Sequence, residues 1–131
     1  MVMLTRLSLG LVLFSVPVEA SILTQCSEHS EGHQVLTVCL EEAYQQAELQ
    51  LLTTEIKVLK NMAELDAISS AAIGAEAAFQ RAQSSFREWR EQQCQFVKAS
   101  YGSGNGAGQG YLDCLYTLTN EQERRLNEYT K

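Results

Sequence analysis

No proline or glycine interrupts residues 34–73, a run of 40. A stretch this long without a breaker, patterned at three- and four-residue intervals, fits an α-helix and little else. Leu36, Leu40, Ala43/Tyr44, Ala47, Leu51, Val58, Met62 and Leu65 form one apolar stripe, widened by Leu52, Ile56 and Leu59. Ser69-Ser70 offers a break, so this helix is expected to span residues 34–66. A second stripe runs through Ala72, Ala75, Phe79, Ala82, Phe86, Trp89, Gln93 and Phe96/Val97. Its first half is mostly alanine, which permits close helix approach, and its second half is aromatic. The spacing puts Phe86, Trp89 and Phe96 in the core and Arg90 at its edge. Tyr111, Leu115, Leu118 and Leu126/Tyr129 mark a third, shorter helix. Between the second and third helices, residues 101–110 hold five glycines in ten and are expected to form a flexible loop. The expected fold is all-α: a small antiparallel three-helix bundle, up-down-up, preceded by a polar segment over residues 26–33.

The first 20 residues read as a signal peptide. Arg6 supplies a positive start, residues 7–16 a short apolar stretch, Pro17 its end, and Val18-Glu19-Ala20 a small-residue cleavage site. The apolar stretch is short of the roughly 20 residues a membrane span needs. This disfavours a retained anchor, and Gln25 before Cys26 disfavours a lipoprotein signal. Residues 21–131 then form a single domain of 111 residues. The removed part carries one base, Arg6, and one acid, Glu19, so 15 acids and 9 bases leave the net charge at −6. That acidity argues against nucleic acid and anionic membranes as partners and suits a basic protein.

Four cysteines in an exported chain predict two disulfides. Antiparallel packing brings Cys39, Cys94 and Cys114 to one pole, within reach of Cys26. Three pairings remain open. Cys94–Cys114 would close the glycine-rich loop and leave Cys26–Cys39 to pin the N-terminal segment, and this local pairing is favoured. The alternative is a zinc site from Cys26, His29, His33 and Cys39, whose types and spacing are those of zinc ligands. Export favours oxidation over metal, so no metal and no cofactor is expected.

Other chemistry finds little support. Gly102, Gly104, Gly106 and Gly108 alternate in a loop, but no strand precedes them and no Gly-Lys-Ser/Thr follows, which disfavours a phosphate cradle. Both histidines lie in one polar segment, without an orienting acid beside a nucleophile. Glu41 and Glu42 are adjacent and point to different azimuths, and Glu121 and Glu123 suit a helix start. Trp89 with Arg90 could stack a ligand, although helical aromatic spacing is normally packing. No enzyme is expected.

One motif is specific. Gln83, Phe86, Trp89, Arg90, Glu91 and Cys94 stand where the lysozyme-inhibitor LprI N-terminal domain family has Gln, Trp, an aromatic residue, Arg, Asp and Cys. A glycine-bearing loop follows, then Cys114, Thr119 and Leu126 in that family's C-x4-T-x6-L ending, with Gln122 in place of its usual Arg. The N-terminal D-x-x-L-N-x-x-Y pattern survives only as Glu48, Leu51, Leu52 and Glu55. The chain therefore resembles this family of secreted, four-cysteine helical domains. The resemblance implies a periplasmic or secreted bacterial protein whose partner is a lysozyme, with an envelope interaction module as the alternative. The helical spacing of the motif's aromatics reads the motif residues as structural. Residues 101–111, with Tyr101, Asn105, Gln109 and Tyr111, are the candidate partner-binding loop, because they form the one long loop expected and their glycines would let them enter a cleft.

Overall fold

The computed structural model describes residues 20–71 and 73–131. The expected signal peptide, but for Ala20, and Ala72 of the second stripe lie outside the described residues. Four helices follow in order: α1 (Ile22–Glu28), α2 (His33–Ile68), α3 (Ala75–Ser100) and α4 (Ala107–Asn127). The described residues are all-α, with four helices where three were expected.

The extra helix is α1. The polar sequence around Cys26 has no helical periodicity, but Ser21 caps the turn by accepting the Thr24 N–H at 3.2 Å. A disulfide from Cys26 to Cys39 then pins α1 to α2. The Leu23 N–H donates to Asp113 Oδ1 at 3.3 Å, tying the same helix to α4. Burial pushes the Asp113 carboxyl above the ordinary carboxylate range, and the Leu23 N–H partly opposes this.

The three long helices run up, down and up. On the α2–α4 face the contacts advance in parallel: Gln109 meets His33 and Thr37, Thr54 donates to Glu123, and Asn61 donates to the Tyr129 carbonyl. On α3 they run the other way, with Glu55 bonded to Arg87 and Asp66 to the start of the helix. Asp66 accepts the Ala75 and Glu76 N–H groups at 2.8 and 3.0 Å, supplying partners the first turn of α3 would otherwise lack. These two bonds, the one from Glu76 foremost, hold its carboxyl below the usual range.

The apolar centre is Leu51, Val58 and Leu126, flanked by Met62, Phe79 and Phe86. Leu40, Ala47 and Leu115 extend it toward the disulfides. Leu52 and Ile56 do not widen it as expected, because α3 covers only one side of α2; they are 49% and 61% exposed.

The glycine-rich loop is shorter than the sequence suggests. Helix α4 starts at Ala107, so only residues 101–106 connect, the same length as the 69–74 connection. Gly102 adopts φ 58°, a left-handed turn open to glycine, and its N–H bonds the Ala99 carbonyl at 3.0 Å. Gly108 and Gly110 lie inside α4. The Tyr101 ring lies against Gly110, where an added Cβ would come within 2.4 Å of it. This close approach, rather than flexibility, requires the glycine.

Candidate functional site

Arg90, Phe86 and Thr119 of the family motif meet at one buried polar centre, whereas Trp89 and Glu91 lie outside it. Arg90 was expected at the edge of the stripe and Trp89 within it. The structure reverses this: Arg90 is 7% exposed and Trp89 is 51% exposed, with Phe96 at 65%. The inward line of α3 runs through Gln83, Arg90 and Cys94, spaced by seven and four residues, so Trp89, one position before Arg90, turns outward, as does Phe96, while Phe86 stays half-buried against the core.

Arg90 is held from three helices. Its Nη1 forms an ion pair with Glu48 on α2 and donates to the Thr119 hydroxyl on α4 at 2.6 Å. Its Nη2 donates to the Tyr44 hydroxyl at 3.3 Å. The guanidinium lies 5.5 Å from the Phe86 ring centre and 5.7 Å from that of Tyr44, within cation–π range. Thr119 is fully buried, and its hydroxyl donates a hydrogen bond to the Leu115 carbonyl at 2.6 Å. Burial raises the Tyr44 phenol, opposed by the Arg90 charge.

Two further pairs extend the network. Gln122 donates to Gln83 at 3.0 Å, so a neutral amide pair links α3 and α4. Arg87 donates to Glu55 Oε2 at 2.6 Å, which raises the guanidinium pKa further. Glu55 Oε1 and Arg90 Nε are buried without a hydrogen-bond partner. The Glu48 and Glu55 positions of the N-terminal pattern are thus the anionic halves of two helix-to-helix ion pairs, and Leu51 between them is fully buried. In the sequence Glu48 and Glu55 stand out only as departures from a pattern, and Arg87 does not stand out. The signal available was the spacing of Glu48 and Glu55, seven apart on one face of α2.

At the other end, Cys94 joins Cys114 with Cα atoms 5.5 Å apart, and Cys26 joins Cys39 at 5.8 Å. Cys26 and Cys39 therefore have no thiolate to offer a metal. His29 bonds the Gln25 carbonyl, and His33 meets the Gln109 amide at 2.9 Å. Among the described residues no group of three or more His, Cys, Asp or Glu side chains could hold a metal ion.

The candidate partner loop is split. Asn105 is exposed and Tyr101 is 42% exposed, but Gln109 is buried and bonded to His33 and Thr37. Tyr111 donates to Glu91 at 2.8 Å. Burial and that carboxylate push its phenol up to about 12. Glu91, bonded by Gln95 and by Tyr111, falls below the ordinary range. The segment is fastened through Gln109 and Tyr111, and its exposed part is the tip at residues 102–105.

Among the surfaces that carry exposed apolar side chains, two border α3. A groove of about 410 Å³ between α2 and α3 is lined by Leu52, Ile56, Leu59 and Phe79, with Glu55 and Arg87 in its wall. The outer face of α3 carries Trp89 and Phe96. No helix among the described residues is long and apolar enough to cross a membrane.

No curated protein and no solved structure matches the chain. A family model described as lysozyme inhibitor LprI matches residues 26–126, which take in all four cysteines, the ion pairs of Glu48 and Glu55, and Leu126. The chain belongs to the lysozyme inhibitor LprI family.

Proposed function

We propose that the protein is exported, oxidised to its two-disulfide form, and binds a lysozyme-type enzyme so as to block cell-wall hydrolysis. The observation that carries this is membership of an inhibitor family over residues 26–126. The physical properties agree with it. The two disulfides suit an oxidising compartment. The net charge of −6 favours encounter with a basic enzyme, an attraction that weakens as salt screens it. The buried network around Arg90 is scaffold: its ion pair and its bonds to Thr119 and Tyr44 run between helices and hold the three of them in register. Inhibition then belongs to the surface that this scaffold presents.

The test is a cell-wall lysis assay with the purified, oxidised protein and several classes of lysozyme, at low and physiological salt. Dose-dependent inhibition that weakens with salt is expected. No inhibition of any class at about 10 μM, where a moderate complex of micromolar Kd would be mostly formed, overturns the proposal. Capture of an envelope protein without lysozyme would favour the alternative, an envelope interaction module.

A further inference from the structure

We propose that the protein forms a symmetric dimer in which the outer face of α3 packs antiparallel against the same face of a second copy. The face is unusual for a surface helix. Ala75, Ala78, Ala82, Ser85, Trp89, Gln92 and Phe96 follow alternating spacings of three and four, the seam spacing of paired helices, and include no charged residue. All but the half-buried Ala75 are exposed. A surface helix ordinarily carries its charges on this side.

The occupant follows from two features of the seam. Its bulk is unevenly divided, with alanines at the N-terminal end and Trp89 and Phe96 at the C-terminal end. An antiparallel second copy sets the bulky end of each helix against the small end of the other. In the register that places Ser85 opposite Ala82 of the second copy, Trp89 falls opposite its Ala78. Phe96 then lies past the N-terminal end of the second copy's α3, on the side of Ile73, which is 53% exposed. The second feature is charge. Arg81 and Glu88 lie seven residues apart along one edge of the seam, and both are exposed. That same register brings Arg81 of each copy beside Glu88 of the other, and two-fold symmetry makes the pair twice. A register shifted by one heptad would instead oppose Glu88 to itself. No ion pair within the described chain occupies either residue. The two copies carry −6 each, so added salt should tighten the dimer.

Sedimentation equilibrium of the oxidised protein tests this, with a thermal melt of each variant as a check on folding. Wild type should show a concentration-dependent monomer–dimer equilibrium. Trp89→Glu should be monomeric throughout, and as an exposed position it should still fold. Arg81→Glu should weaken the dimer about tenfold, as two surface pairs turned repulsive imply, and Arg81→Glu/Glu88→Arg should restore it. If Trp89→Glu fails to fold, Ala78→Glu is read the same way. A wild type that stays monomeric up to about 1 mM, weaker than which no useful dimer forms, overturns the proposal. So does a dimer that Trp89→Glu leaves intact, or one in which the Arg81/Glu88 swap gives no rescue. The test does not depend on lysozyme binding.

Discussion

Replacing Arg90 with leucine should cost this fold more than removing its one tryptophan. The Arg90 side chain is 8% exposed and its partner carboxylate on Glu48 is 31% exposed. Breaking a fully buried pair by deleting one member costs about 3–5 kcal/mol, because the surviving charge is left without compensation. Here water still reaches part of Glu48, so Arg90→Leu should cost about 2–3 kcal/mol. The leucine keeps some of the packing on Phe86 and Tyr44. Thr119 keeps its bond to Leu115, so its hydroxyl is not orphaned. In a domain of this size, about 4 °C of melting temperature accompanies each kcal/mol, which gives a drop of about 10 °C. Urea unfolding at pH 7 gives the free energy directly. The double variant Glu48→Leu/Arg90→Leu removes both charges and should recover most of the loss, to within about 1 kcal/mol of wild type. If Arg90→Leu costs under about 0.5 kcal/mol, or if the double variant is as unstable as the sum of the singles, the ion pair is not what organises the three helices.

The remaining predictions are narrower. Trp89→Ala should cost about 1 kcal/mol or less in dilute, monomeric protein, against the 3–5 typical of a buried aromatic, checked by the same urea titration. Gly110→Ala should destabilise by about 1–3 kcal/mol through the Tyr101 ring, and Tyr101→Ala in the same chain should relieve the cost. Asp66→Ala should lower stability at neutral pH and matter progressively less in acid. A carboxylate held below its ordinary pKa stabilises the fold above about pH 3.9 and loses that effect as pH falls through the lowered value, so melting curves from pH 7 to pH 2 decide it. One tyrosine should ionise near pH 12 by ultraviolet absorbance, and Tyr111→Phe should remove it. Because that phenol is raised when folded, its stabilisation holds below about pH 10 and is lost as pH climbs toward 12.

Much of the architecture was legible because α2 and α3 contain no breaker and show regular apolar spacing. The expected end at Asp66 falls two residues short of Ile68, within ordinary fraying. What was not legible has physical causes. On α3 the buried line includes Gln83 and Arg90, polar residues that only their partners on α2 and α4 make tolerable indoors. Hydrophobicity alone therefore rotated the helix by about one residue and put Trp89 inside. At the start of α4, glycine composition signalled a loop, whereas packing of Tyr101 on Gly110 favours a helix whose first turns are unusually slim. Helix α1 has almost no intrinsic signature and depends on a cap, a disulfide and Asp113. The paired roles of Glu48 and Glu55 required their basic partners, Arg90 and Arg87, 42 and 32 residues away, to be known in advance.

The order of the cysteine pairs has a consequence for how the chain matures. The first cysteine bonds the second and the third bonds the fourth, across separations of 13 and 20 residues. An oxidant that meets the chain from its N-terminal end and joins thiols in order of arrival therefore produces the native connectivity without a reshuffling step. The competing Cys39–Cys94 link would have to close a span of 55 residues and is disfavoured entropically. The first bridge can form before α3 exists. The second waits for α4, whose arrival also completes the parallel seam with α2. Covalent closure and completion of the core thus coincide at the last helix, so a chain truncated before Cys114 carries one unpaired thiol as a chemical mark of being unfinished.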